Sequence, residues 1–180
     1  MGRFRSYFTR VAPLALTALL AACSDSGGGS VTAPSALTPQ FTMGSGSTST
    51  LLGRARFALG ENFKVKRISG DWHVEIKAHP ELDLAVQSIV FAAGSYSGWH
   101  MHPGPVFIQV VTGTMTFYEG DDPTCTPIVR NAGEGFLDVG DHPHIARNES
   151  GAPATNVVTY FAPPGASLRI DAPAPGNCPF

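Results

Sequence analysis

Several motifs of common catalytic and nucleic-acid-binding proteins are absent from this 180-residue sequence. It has no GxSxG nucleophile elbow, no phosphate-cradling glycine loop and no HExxH helix, which speaks against three familiar kinds of active site. Charged residues make up only 14% of the chain, and 14 acidic residues outnumber 12 basic ones. Because nucleic-acid binding depends on basic patches that neutralise phosphate, we expect no nucleic-acid partner.

The first 22 residues have the layout of an export signal. Three arginines and no acidic residue precede an apolar run over 11–22, which is shorter than the ~20 residues that a membrane helix needs. The run ends in Leu-Ala-Ala before Cys23, which resembles the bacterial lipobox, whose cysteine receives a diacylglyceryl group before cleavage. We therefore predict a lipoprotein signal peptide over 1–22 and lipidation of Cys23. The alternative is an ordinary secretory signal followed by an incidental cysteine.

The residues after the signal predict a tether. Residues 24–50 are mostly Ser, Gly, Thr, Ala and Pro, which cannot bury enough apolar surface to offset the entropy lost on ordering. We predict a flexible linker over 23–58, although residues 51–59 are also compatible with a short helix or an extended arm. Once the signal is removed, nine basic and 14 acidic residues remain, a formal charge of −5.

The remaining residues, 59–180, predict one all-β domain. Short alternating or apolar runs are separated by turns rich in Gly, Pro and Asp, and no segment has a helical period. About 120 residues suit one domain and are too few for two. Regular short strands favour a β-sandwich or a barrel. The predicted strands are residues 63–68, 72–78, 84–92, 106–112, 115–118, 127–130, 136–139, 144–148 and 156–162.

Two cysteines, Cys125 and Cys178, remain besides Cys23. In an exported protein an even pair is more often bridged than free, so we predict a disulfide between them. The alternative is a pair of thiols that serve a metal site. Neither cysteine lies near the histidines described next, and no CxxC spacing exists.

Three histidines form the candidate metal site. His100 and His102 lie two residues apart where a strand is predicted, so their side chains face the same side and can both reach one ion. His144 begins a strand much later in the chain. It can join the other two only if the barrel closes.

The alternation along the following strand predicts the walls of this site. Val106, Ile108 and Val110 should line the barrel, whereas Trp99 and Phe107 should pack on its outer face. A pocket with aliphatic walls and a few polar groups is typical of small-molecule sites.

These segments resemble the two motifs of the cupin superfamily. The glycine, two histidines and closing glycine of the first motif fall within 94–113, and the closing histidine and asparagine of the second fall on His144 and Asn148. The resemblance implies an all-β cupin double-stranded β-helix, a jelly-roll barrel. It also implies a divalent metal on His100, His102 and His144. Asn148 would orient one of these ligands or cap a turn.

One ligand of the family's usual pattern has no counterpart here. The glutamate expected four residues after the second histidine is Val106, and the expected proline and glycine of the second motif are Val139 and Asp141. Glu119 lies in a predicted hairpin turn and is not expected to replace the glutamate, and His142 is expected at the rim. Three neutral imidazoles would leave a dication its full charge and about three open positions, which favours chelating anions. The metal is expected to be iron, manganese, zinc, nickel or copper, among which these ligands do not choose.

Three functions fit these features. The first is a metal-dependent cupin, of the dioxygenase kind or related to it, that binds a small, anionic molecule and oxidises or otherwise converts it. The second is a non-catalytic envelope lipoprotein that captures a ligand or a metal in the same barrel, and the third is a structural lipoprotein with vestigial histidines. No catalytic residue beyond the metal ligands is evident. The lipid anchor predicts a place at the membrane of the bacterial envelope, on the periplasmic side of the outer membrane where there are two, and family analogy suggests a homodimer.

Overall fold

The computed structural model describes residues 41–58, 63–64, 77–78 and 81–180, all of which belong to one compact unit, Leu37–Phe180. The predicted signal peptide, Cys23 and the first part of the predicted linker lie outside these residues. Within the described part of the chain, no helix is long and apolar enough to cross a membrane.

Twelve strands lie within the described residues. They are β1 (Ser45–Ala58), β2 (Phe63–Lys64), β3 (Lys77–Ala78), β4 (Glu81–Tyr96), β5 (His100–Met101), β6 (Val106–Thr112), β7 (Thr114–Glu119), β8 (Ile128–Asn131), β9 (Gly135–Asp138), β10 (His144–Arg147), β11 (Ala154–Ala162) and β12 (Ile170–Asp171).

Ten of these strands form one antiparallel sheet that folds into a nearly closed barrel. The order β1-β4-β11-β6-β9 makes one layer, and β12-β5-β10-β7-β8 makes the other. The layers join where Tyr96 of β4 pairs with Arg147 of β10. This confirms the predicted fold class, an all-β jelly-roll barrel of the double-stranded β-helix type.

The core lies between the two layers because each strand turns alternate side chains inward. β11 alternates between buried and half-buried residues along its whole length, and β6 alternates between buried and exposed residues over its first five positions. Such alternation is expected of a sheet with one buried face. The buried core side chains come from both layers: Ala85, Phe91, Val106, Ile108, Val110, Met115, Phe117, Phe136, Ala146, Ala154, Val158 and Tyr160.

The predicted flexible linker is wrong over residues 45–50, because Ser45–Ala58 is an edge strand, whereas over 51–58 this strand agrees with the alternative of an extended arm. Its backbone pairs with β4 from Ser45 to Ala58, yet all its residues are exposed. Because no residue of this strand is buried, its composition gives no sign of burial. Backbone hydrogen bonds to β4 hold it in place. Arg54 and Arg56 add hydrogen bonds of 2.9 Å each to the carboxylate of Asp83 in β4.

A second, smaller cluster covers the outer side of β10. Trp99, Tyr118 and Ile145 are buried there, next to the Cys125–Cys178 disulfide. This confirms the predicted disulfide and closes a 53-residue separation in sequence. Trp99 and Phe107 both lie outside the main core, as their alternation with inward-facing residues predicts. Trp99 is buried in this second cluster, and Phe107 is 48% exposed.

Candidate metal centre

The strand pairing of the barrel brings the three candidate histidines together. His100 begins β5 and His144 begins β10, and the two residues pair directly across these antiparallel strands. Cross-strand partners point to the same face of a sheet, so both side chains enter the barrel. His102 follows β5 and also enters it. The three residues are 7%, 1% and 5% exposed for His100, His144 and His102.

Hydrogen bonds fix which ring nitrogens face inward. His100 Nδ1 lies 2.9 Å from the carbonyl oxygen of Gly98, and His102 Nδ1 lies 2.6 Å from that of Leu168. A carbonyl oxygen only accepts, so both Nδ1 atoms carry the hydrogen and donate it. In a neutral ring the other nitrogen, Nε2, then holds a free lone pair.

Burial keeps these rings neutral. It lowers the pKa of His100 to about 3, and it also lowers the pKa of His102. The pKa of His144 falls well below its usual value, first through burial and then through the neighbouring His100 and His102. Neutral imidazole is the form that binds a metal, so the site is in its ligating state at neutral pH.

The nitrogens come close to the spacing that one ion requires. One ring nitrogen from each of the three histidines lies within 4.8 Å of the others, and His144 Nε2 is 3.0 Å from His100 Nε2. Two ligand nitrogens ~2.1 Å from an ion and at right angles to it are themselves about 3 Å apart. Two such nitrogens are at most ~4.2 Å apart, so the widest pair would close by about half an ångström around an ion. With that small shift the donor set on His100, His102 and His144 fits a transition-metal dication.

A buried carboxylate beside these rings was not foreseen from the sequence. Asp138, the last residue of β9, has a side chain with 0% exposure, and its Oδ2 lies 3.4 Å from His144 Nδ1 and 3.6 Å from His102 Nε2. Burial raises the pKa of this carboxyl. The available signal was its place on the inward-facing side of a predicted strand, where an acidic residue is unusual.

The histidines line a cavity of about 590 Å³. Its apolar walls come from both layers of the barrel: Ile89, Phe91, Ile108, Phe117 and Val158. Polar groups face them: the Tyr160 hydroxyl donates a 2.9 Å hydrogen bond to Gln87, and the Oδ1 of Asn156 is buried without a partner among the described residues. Arg169, paired with Asp171 at 2.6 Å, adds a positive charge to the lining.

Only one of the three predicted wall residues lines this cavity. Ile108 does, whereas Val106 and Val110 belong to the core and are 0% and 1% exposed. Their inward direction is as predicted. Neighbouring side chains close over them, so the prediction that they form the pocket wall is corrected.

The hydrogen bonds of Asn148 go to residues other than the histidines. This residue is fully buried, its amide nitrogen donates to the carbonyl oxygens of Phe91, Ala92 and Ala152, and its Oδ1 accepts from Ser150. Of the two alternatives, these bonds favour the cap of a turn, here the turn between β10 and β11.

His142 lies at the rim, as its neighbouring proline suggests. Its Nε2 is 2.9 Å from the carboxylate of Glu119, and its Nδ1 is 2.5 Å from that of Asp141. Burial alone would lower the pKa of His142, but these two carboxylates outweigh it and raise the pKa. Glu119 is the last residue of β7 rather than a turn residue, and its carboxylate is directed to His142.

Comparison with known proteins finds likeness in structure alone. No family model matches the chain, and none of the curated proteins matches it. One similar solved structure is a Cupin_2 domain of an XRE family transcriptional regulator from Enterobacter cloacae, with 23% identity and a TM-score of 0.37, over 45% of this chain and 82% of that one. A conserved protein with a double-stranded β-helix domain from Klebsiella pneumoniae has 19% identity and a TM-score of 0.43, over 63% and 85%.

A third similar structure is the polyketide cyclase RemF from Streptomyces resistomycificus, with 15% identity and a TM-score of 0.42. The match covers 49% of this chain and 59% of the cyclase, so the chain spans about three fifths of that enzyme's length. With TM-scores below 0.5, none of these likenesses bears on activity or substrate. The class defined by the strand order and the site is an all-β, double-stranded β-helix protein with a three-histidine group inside its barrel.

Proposed function

We propose that this protein is a metal-dependent cupin that binds a small anionic molecule at a centre formed by His100, His102 and His144. The observation that carries the proposal is the convergence of three buried, neutral imidazoles beside a cavity of about 590 Å³. A bound dication would act there as a Lewis acid for an anionic ligand, because three protein ligands leave coordination positions open.

The cavity's own residues support an anionic ligand. Arg169 adds a positive charge to the lining, and its field is one of the effects that lower the pKa of His100. The ligand's polar end would meet this charge. The unpartnered Asn156 Oδ1 offers an acceptor for a donor group on the ligand. The aromatic and aliphatic walls would exclude water from the remainder.

A second candidate, capture of a ligand without conversion, has an observation in its favour. Besides the three histidines, the described residues that line the cavity offer few groups for proton transfer at neutral pH. Burial raises the pKa of Tyr160 to about 12, and the carboxylate of Asp171 is engaged by Arg169. Conversion of the ligand, by oxidation or another metal-assisted reaction, would therefore depend on the ion.

Metal analysis of protein purified without a histidine tag tests the proposal. We expect about one transition-metal ion per chain and its loss in the His100→Ala/His102→Ala double variant. The matched control is His142→Ala, which removes an imidazole two residues from His144 but outside the centre. Stoichiometric metal in the double variant would overturn the proposed site. Oxygen-consumption assays with small carboxylates and phenols then separate an oxygenase from a binding protein.

We also propose that the protein is exported and anchored through a lipidated Cys23 in the bacterial envelope. The basic and apolar layout of residues 1–22 and the lipobox-like Leu-Ala-Ala-Cys support this. The Cys125–Cys178 disulfide suits an oxidising compartment. Mass spectrometry of the mature N-terminus should find acylated Cys23, and an N-terminus that retains residues 1–22 would contradict the proposal. The expected homodimer stays a prediction, which measurement of the molecular mass in solution will check.

A further inference from the structure

One charged group in the barrel has no part in the proposed function as stated so far. The Oδ2 of Asp138 and the Nδ1 of His144 are both buried, and neither has a hydrogen-bond partner among the described residues. The two atoms lie 3.4 Å apart, close enough for a hydrogen bond but without its alignment. Buried polar atoms are normally paired, so this juxtaposition needs an explanation.

The position of Asp138 in the sheet is specific. It stands directly opposite Val106 in the register of β9 and β6, and Val106 is the position where the cupin pattern expects a glutamate. Cross-strand partners direct their side chains to the same face, so a carboxylate enters the barrel from the neighbouring strand instead. Its Oδ1 accepts a 2.8 Å hydrogen bond from the backbone N–H of Gly140, which leaves Oδ2 directed at the histidines.

The Nδ1 atoms of His100 and His102 each have a hydrogen-bond acceptor, whereas that of His144 has none among the described residues. Behind His100 stands the carbonyl oxygen of Gly98, and behind His102 that of Leu168, each of which accepts a hydrogen bond from Nδ1–H. Histidines that bind a metal almost always donate their other N–H to an oxygen in this way, which fixes the tautomer and the direction of the ring. For His144, the oxygen close to Nδ1 is Asp138 Oδ2, at 3.4 Å.

We propose that Asp138 is a positioning residue of the metal centre: its carboxylate accepts a hydrogen bond from Nδ1–H of His144 and holds Nε2 of that ring unprotonated and directed at the ion. All three ligand rings then have an oxygen behind them. The negative charge also offsets part of the charge of the dication without occupying a coordination position, so the open positions remain for the ligand. This inference rests on the metal centre of the proposed function and is independent of the identity of the ligand.

The test is a Zn²⁺ titration of metal-free protein against a competing chelator, with Asp138→Asn beside the wild type. The asparagine keeps the size of the side chain and removes its charge. We expect the variant to bind Zn²⁺ with unchanged stoichiometry and affinity lower by about 10- to 100-fold, the usual cost of losing such a partner. The matched control is Asp83→Asn, another buried aspartate, whose partners are Arg54, Arg56 and Gly165. We expect that control to lose thermal stability and to keep its Zn²⁺ affinity within about threefold.

A second measurement determines which nitrogen of the His144 ring binds the ion. Nitrogen-15 NMR of the Zn²⁺-loaded wild type should find His144 bound through Nε2, with a protonated Nδ1 whose hydrogen exchanges slowly. Asp138→Asn should shift this N–H resonance and speed its exchange, and Asp83→Asn should leave it unchanged. If the variant does not fold, the wild type alone can still overturn the inference, because coordination through Nδ1 would contradict it.

The outcomes separate the two proposals. If the wild type binds no metal, the proposed function fails and this inference fails with it. If the wild type binds Zn²⁺ and Asp138→Asn matches its affinity and its His144 signal, only the inference is overturned. Coordination of the ion through His144 Nδ1 would also overturn the inference while leaving the metal centre intact.

Discussion

The pKa of a histidine is shifted in opposite directions in the interior of the barrel and at its rim, as His144 and His142 show. His144 is buried among two other imidazoles, and its pKa falls well below the usual value. His142 is 21% exposed by side chain and meets the carboxylates of Glu119 and Asp141, which raise its pKa. Two residues of chain therefore separate a neutral candidate ligand from a histidine whose cationic form is favoured, and their surroundings rather than the residue type make this difference.

The largest expected effect comes from removing each of these two histidines in turn. His144→Ala should weaken Zn²⁺ binding by more than the ~10–100-fold expected for loss of a partner behind a ligand, because it deletes a ligand itself. His142→Ala should leave the affinity within about threefold. Isothermal titration calorimetry of metal-free proteins measures both. Equal losses in the two variants would mean that the rim takes part in binding and would erase the distinction.

The disulfide on the outer side of β10 allows a test of whether the two faces of this strand are independent. Cys125 lies in the loop after β7, next to the rim, and its bond to Cys178 closes a 53-residue separation. In the chain-entropy model this closure contributes about 4 kcal/mol. The Cys125→Ser/Cys178→Ser variant should therefore unfold at a clearly lower denaturant concentration. It should still bind one Zn²⁺, since the metal centre lies on the other face of β10; loss of the ion would show that the two faces are not independent.

The comparison also predicts opposite effects of pH on the metal-free protein. His100, with a pKa of about 3 against 6.5 in an unfolded chain, takes up its proton later than the unfolded state does. Its contribution to stability is complete above about pH 6.5 and declines as the pH falls toward 3. His142 acts in the opposite sense: with its pKa raised, its contribution is complete below about pH 6.5 and is lost as the pH rises through the folded-state pKa.

Thermal unfolding across this range checks the two signs. The melting temperature of the wild type should fall on acidification below about pH 6.5, and His142→Gln should lower it more at about pH 5 than at about pH 8. A deficit in His142→Gln that grows with rising pH would contradict the assigned surroundings of this side chain. NMR titration of the ring protons separates the two histidines directly.

Local patterns predicted much of the fold. Alternation and turn residues located β6 at its observed bounds, and they located most of the later strands within a few residues. The paired spacing of His100 and His102, with the distant His144, indicated a group that the barrel brings together. Strand period and motif spacing carry this kind of information because they act over a few residues.

Contacts between distant segments could not be predicted in the same way. β1 has a composition typical of a linker, and its pairing with β4 and the Arg54–Asp83 contact become visible only in three dimensions. Asp138 lies outside the motif positions, and its proximity to His144 follows from the register of β9 against β6. Val110 faces inward as predicted, yet the packing of its neighbours decides that it lies in the core and not at the cavity.

The most direct test of the metal centre is a crystal structure of the Zn²⁺-soaked protein, with anomalous diffraction measured at the zinc edge. The account predicts one strong peak inside the barrel, ~2.0–2.1 Å from a ring nitrogen of each of His100, His102 and His144. A peak at His142 and Glu119 instead, or no peak within the barrel, would contradict it.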